Sequence, residues 1–247
     1  MESALPKTSK TRIYIDGSLA CDSQLVLSPD LAHYLLSVMR LSGGEHILAF
    51  DGHSGEYECE LQILGKRSAA VKILSKTRDF VATPDIRLLF APLKKDCTDF
   101  VIEKAVELGV RAIIPIITEH SISDKIKIER WRAQATEAAE QSRRVDVPSI
   151  AESVTLSKFI AAYNPARTLY FMDETGSGRP AAQVFQNAPA PADFLIGPEG
   201  GFSDSELKLL RSQPFARAVS LGPRILRAET AAIAALSCWQ SLSGDWQ

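Results

Sequence analysis

The chain has 247 residues and a formal net charge of -2, enough length for one or two domains and no global excess of positive charge, so any RNA site must be a local patch. Its hydrophobic fraction of 45% and charged fraction of 23% are ordinary for a folded soluble protein, and no apolar run approaches the roughly 20 residues that span a bilayer. Cys21, Cys59, Cys97 and Cys238 are dispersed without a C-x-x-C pair, which argues against a zinc or redox motif, and the polar Met1–Lys10 stretch has no apolar leader, so a metal-free, cytoplasmic protein with a loose N-terminal tail is expected.

From Arg12 onward the pattern predicts short strands at 12–15, 24–27, 46–50, 57–63 and 69–74, separated by Asp/Gly/Ser turns, as in a small β-barrel. One helix interrupts them, with Ser28 as N-cap, Pro29 at the first helical position, an apolar face of Leu31, Leu35, Val38 and Met39, and Arg40 closing it. The stretch from Lys76 to Pro84 breaks both periodicities and ends in an X-Pro bond. Residues 1–78 are therefore expected to form one domain and residues 79–247 a second.

The second segment alternates apolar strands at 86–90, 112–117, 168–172, 194–196 and 218–221 with helices at 98–108, 126–143, 181–186, 203–210 and 228–241, the signature of a parallel α/β sheet. In such sheets ligands bind beyond the carboxyl ends of the strands. Two glycine-bearing turns fall there: Ile196-Gly197-Pro198-Glu199-Gly200-Gly201-Phe202-Ser203, and Leu221-Gly222-Pro223-Arg224-Ile225-Leu226-Arg227-Ala228-Glu229-Thr230. Glycine lets the backbone take positive φ and approach a ligand, while proline fixes the bend. Neither turn matches a dinucleotide fingerprint or a Walker loop, which argues against an NAD-dependent enzyme or a nucleoside triphosphate site.

Helix chemistry accounts for several polar residues near these turns. Ser203 and Glu206 have the S-x-x-E spacing of a capping box. Glu199 fits a ligand-orienting role or a favourable helix-dipole contact equally well. Arg224 and Arg227 flank an apolar pair and fit either a solvated surface or an anion contact. Met172, Asp173 and Glu174 end a strand on the same rim, where a ligand contact and an ordinary loop start both fit. His33, His46, His53 and His120 are scattered, with no spacing that builds a metal site or a Ser-His-Asp arrangement.

The two late turns, in this order, closely resemble the paired motifs of the RsmE family, the small-subunit ribosomal RNA uridine-N3 methyltransferases of the SPOUT superfamily. The likeness continues upstream in His33-Tyr34-Leu35-Leu36, Val38-Met39-Arg40-Leu41, Phe50-Asp51-Gly52, Gly55-Glu56-Tyr57, Glu103-Lys104-Ala105-Val106-Glu107-Leu108-Gly109-Val110 and Ala138-Ala139-Glu140-Gln141-Ser142. Asp146 stands where many relatives carry a basic residue, and Leu93-Lys94-Lys95-Asp96-Cys97 departs from the commoner Lys-Gly pattern.

The resemblance implies a PUA-like β-barrel followed by an α/β domain with a deep trefoil knot, a feature no periodicity would propose. It also implies a homodimer, S-adenosylmethionine as cofactor, and a uridine in small-subunit (16S) ribosomal RNA as substrate, near the decoding region of the assembled subunit. The implied cofactor residues are Met172, Gly197, Pro198, Glu199, Gly200, Gly201, Leu221, Gly222, Ile225, Leu226 and Arg227. Arg227 would stabilise negative charge developing on the uracil ring, and the proton acceptor stays open between Glu229 and water. Arg12, Arg40, Lys94, Arg143 and Arg144 are the expected phosphate contacts. Two rivals remain: a SPOUT methyltransferase for another RNA, and a catalytically silent RNA-binding ribosome-assembly protein.

Overall fold

The computed structural model describes residues 11–122 and 126–247, and the expected loose tail lies outside them. The chain divides into two compact units, Met1–Ala82 with Ala139–Asp146, and Thr83–Ala138 with Val147–Gln247. The crossing at 82–83 falls inside the Lys76–Pro84 stretch, whereas residues 139–146 were expected in the second domain.

In the first unit β1 (Arg12–Tyr14), β2 (Gln24–Val26), β3 (His46–Phe50), β4 (Gly55–Gly65) and β5 (Ser68–Asp79) form a sheet in the order β1-β3-β4-β5-β2. The β1–β3 pairing is parallel and the others are antiparallel. Because side chains alternate across a strand, Ile13, Ile47, Ala49, Cys59, Leu61, Val71 and Ile73 point into one apolar cluster.

The interrupting helix is shorter than its apolar spacing predicts. In α1 (Pro29–His33) Ser28 Oγ accepts from the Leu31 amide at 3.3 Å. The next turn, Tyr34–Val38, then widens to π geometry, with the Met39 amide donating to the Tyr34 carbonyl. That i→i+5 bond rotates Val38 and Met39 off the buried face, leaving them 60% and 40% exposed, while Leu35 stays buried. Arg40 ends the segment at φ +58.

The second unit contains β6 (Ile86–Phe90), α2 (Lys95–Glu107), β7 (Ala112–Ile117), most of α3 (Ile128–Gln141), β8 (Ser149–Ile150), β9 (Val154–Thr155), α4 (Leu156–Ala161), β10 (Thr168–Met172), β11 (Arg179–Pro180), α5 (Ala181–Val184), β12 (Ala192–Ile196), α6 (Asp204–Arg211), β13 (Ala216–Ser220) and α7 (Ala228–Ser243). The strands run in the order β11-β13-β10-β12-β6-β7-β8, with β9 also beside β7, and every pairing is parallel. Both faces are covered, as a parallel sheet requires. Leu169, Phe171 and Leu195 face one apolar cluster, whereas Tyr170 and Phe194 meet Phe185 and Trp239 in edge and tilted ring contacts 5.2–5.9 Å apart.

Several expected boundaries move. The helix expected from Thr98 starts at Lys95, because Thr98 is buried inside it and its hydroxyl bonds back to the Leu93 amide and carbonyl, both at 3.0 Å. Helix α4 was not expected. Thr155 caps it, but six residues are too few to establish a period. Ala231, Ala232 and Ala235 of α7, small enough for a subunit contact, are buried within this chain, where α7 packs on β12 and α2.

Candidate active site

Because the strands are parallel, β10, β12 and β13 bring their carboxyl ends, Met172, Ile196 and Ser220, to one edge of the sheet. A cavity of about 700 Å³ opens there.

Its first wall is the 197–201 turn. The Gly201 amide donates to the Pro198 carbonyl at 2.9 Å, and Gly201 sits at φ +70, where a Cβ would collide with Glu174 Oε1. That carboxylate oxygen accepts from the Phe202 amide at 3.3 Å. The turn leads into α6 through the complete capping box of Ser203 and Glu206.

The loop after β7 braces this wall. His120 Nδ1 lies 3.1 Å from both the Gly200 and Gly201 carbonyl oxygens, so this nitrogen must carry the proton and donate. Next to it, the Glu119 amide donates to Glu206 Oε1 at 2.9 Å.

The second wall is the 221–228 segment. Gly222 holds φ +108, and a Cβ there would meet nothing within 4 Å, so its main chain borders open space. Ile225 is 85% exposed beside the cavity, and Arg224 and Arg227 are exposed on either side of it. Among the described residues neither arginine forms an ion pair.

The loop after β10 supplies the third side. Asp173 is buried and accepts from the Thr175 amide and hydroxyl and from Arg211 at 2.6–3.0 Å. Burial pushes its carboxyl up, but these donors outweigh burial and hold it below the usual carboxylate range.

Of the expected cofactor residues, Met172, Gly197, Pro198, Glu199, Gly201, Leu221, Gly222, Ile225, Leu226 and Arg227 line this cavity. Gly200 is not in the lining and faces His120. Glu229 is not in it either. It lies in the first turn of α7 and, like Glu199, acts on the Cys97 thiol, which burial first and then these carboxylates push up in pKa. Lys94, expected on the RNA, is part of the cavity wall. Glu174 and His120 act through contacts distant in sequence, so only the strand-end position of Glu174 was legible.

The basic residues separate into two groups. Arg40 and Arg143 are exposed, both at positive φ. The side chains of Arg12 and Arg144, expected as phosphate contacts, are instead largely buried among partners within the protein. Arg12 bonds Glu56 and the carbonyls of Ala139, Glu140 and Arg144, and its guanidinium lies 4.0 Å from the centre of the Phe50 ring. Arg144 makes a two-point pair with Asp146 at 2.9 and 3.1 Å. With their donors committed inside the protein, neither offers a phosphate a free edge. Among the described residues, no group of three or more His, Cys, Asp or Glu is placed to hold a metal.

A family model described as an RNA methyltransferase domain matches residues 82–240, and one described as an RNA methyltransferase PUA domain matches residues 27–74. The chain is 32% identical over 229 residues to ribosomal RNA small subunit methyltransferase E of Rickettsia conorii, covering 92% of this chain and 93% of that one. Ribosomal RNA small subunit methyltransferase E of Neisseria gonorrhoeae, solved bound to S-adenosyl methionine, superposes with a TM-score of 0.88 at 30% identity, over 96% of this chain and 99% of that one. A Legionella pneumophila protein solved in complex with SAM gives a TM-score of 0.87 at 32% identity, over 96% of this chain and 100% of that one.

Proposed function

The chain belongs to the ribosomal RNA small subunit methyltransferase E family, an S-adenosylmethionine-dependent family, and from that premise we propose that it methylates N3 of a uridine in small-subunit ribosomal RNA. The observation that carries this reading is the convergence of both glycine turns and the end of β10 on one cavity. Its volume of about 700 Å³ suits a nucleoside-sized ligand, whose pockets run to roughly 300–1,000 Å³. The open space at Gly222 and the lining by Ile196, Leu221 and Leu226 fit recognition by main-chain groups under apolar cover.

Bound there, S-adenosylmethionine supplies an electrophilic methyl group; the protein must orient the uracil and manage charge. Once the N3 proton departs, negative charge sits on the ring until the methyl group bonds N3, the sulfonium leaving as the neutral thioether. Arg227 keeps its own proton and so acts as the charge-stabilising group rather than the base. Glu229 or water takes the proton, with Glu229 held at the start of α7 beside Cys97. Arg40, Lys94 and Arg143 are the exposed cations for phosphate.

By likeness to the family, the reading extends to a closed PUA-like barrel in the first unit, a trefoil knot in the second, and a homodimer in the cytoplasm. It also extends to an assembled subunit as substrate, with the target near the decoding region. The test assays Arg227→Ala with tritiated S-adenosylmethionine and unmodified small subunits. Turnover should fall by about 10²-fold or more with cofactor affinity nearly kept, as for loss of one charge-stabilising group. Normal turnover would remove Arg227 from the role.

A further inference from the structure

The Pro92–Lys95 loop after β6 borders two cavities. Lys94 lines the large one, and its neighbour Lys95 lines a second of about 380 Å³. The floor of the second is apolar: Leu93 and Trp131 are buried, and the Trp131 ring stacks on Phe90 with centroids 5.7 Å apart. Among the described residues its charged lining is cationic, with Lys95 at the start of α2, Lys127 just before α3, and Arg130 in the first turn of α3.

Arg130 is fixed by Asp99 at 2.6 Å, and Gln134 bonds the Asp99 carbonyl at 2.7 Å, so α2 and α3 are tied together beneath the rim. That pairing offsets one cation. Lys95 and Lys127 are both exposed and, among the described residues, neither forms an ion pair. Two elements thus converge three cations on a concave surface whose lining, among the described residues, contains no carboxylate, in a protein whose net charge is negative. Such focusing raises the local concentration of an anion where the molecule as a whole would not.

We propose that this second cavity binds the phosphodiester backbone of the RNA next to the target uridine, with Lys95 and Lys127 as the phosphate contacts and Arg130 as a fixed wall. The proposal rests on the reading above. One loop carries Lys94 into the cofactor cavity and Lys95 into this one, so a strand held at the second cavity is anchored beside the reacting base. The apolar floor fits a ribose or base edge between phosphates. Ammonium groups act as point charges here, so sequence selectivity is not expected from this site.

The test compares wild type with Lys95→Ala/Lys127→Ala and Lys95→Arg/Lys127→Arg, using small subunits as substrate. The alanine pair should raise KM for subunits about tenfold near 0.15 M salt, leave kcat within about twofold, and lower the slope of log affinity against log salt by roughly one per lysine. Calorimetric affinity for S-adenosylmethionine and melting temperature should stay at wild-type values, and the arginine pair should recover KM. An unchanged KM and salt slope in the alanine pair would overturn the proposal. Should wild type itself place no methyl on uridine N3 of small subunits, the functional reading fails instead, and the salt slope of subunit binding still judges the cavity.

Discussion

At the residue scale the cofactor turn depends on the absence of a side chain at Gly201. Two effects coincide there: positive φ, and the Glu174 carboxylate filling the space a Cβ would need. Gly201→Ala should therefore cost about 1–3 kcal/mol of stability and weaken S-adenosylmethionine binding, as seen by denaturant unfolding and calorimetry. Glu174→Ala separates the two effects. It removes the clash but not the backbone strain, so the double variant should be more stable than the two single effects added, by about 0.5 kcal/mol or more. Strict additivity would show that Glu174 does not set the requirement for glycine. The glycines themselves were legible in the sequence, since few other residues permit such turns. The carboxylate packed against them was not, because 27 positions separate Glu174 from Gly201 and no local pattern links them.

At the scale of elements, legibility followed the range of the forces involved. The Ser203–Glu206 box was readable because both of its hydrogen bonds close within four residues. The widened turn at Tyr34–Val38 was not, because α and π turns share the same apolar residues and differ in which carbonyl is used. Ser203→Ala should cost about 1 kcal/mol in denaturant unfolding, as for the loss of other helix caps, while leaving the Michaelis constant for S-adenosylmethionine near wild type. His120→Ala should do the reverse. His120 is exposed and caps no helix, but its ring holds the Gly200 and Gly201 carbonyls, so the Michaelis constant should rise several-fold with melting temperature almost unchanged. Equal effects of the two variants on both readouts would mean that turn and helix respond as one element.

On the scale of the molecule, the change from half-exposed alternation to fully apolar strands marked the passage between units. The return of residues 139–146 to the first unit left no such mark. It depends on the carbonyls that Arg12 and Arg78 bond and on the Glu140 carboxylate that accepts from the Tyr14 amide, contacts made by groups a sequence reading assigns to the surface. Buried or half-buried carboxylates held by donors occur in both units and set a common response to acid. In Asp51, Glu56, Asp85 and Asp173 burial raises the pKa, but hydrogen bonds and neighbouring cations outweigh it and the net shift is downward. A carboxyl depressed in the folded state adds stability that is complete above its unfolded pKa, about 3.9 for Asp and 4.3 for Glu, and is lost as pH falls through the folded value. The melting temperature attributable to these groups should thus be flat from pH 7 to about pH 5 and then fall steeply below about pH 4. Asp51→Asn should lower it at pH 7, because the Leu19 and His53 amides and the Ser54 amide and hydroxyl lose a charged acceptor, and should shrink the drop between pH 5 and pH 3. An undiminished drop in that variant would locate the acid response elsewhere, and a wild-type decline already complete by pH 6 would exclude depressed carboxylates as its source.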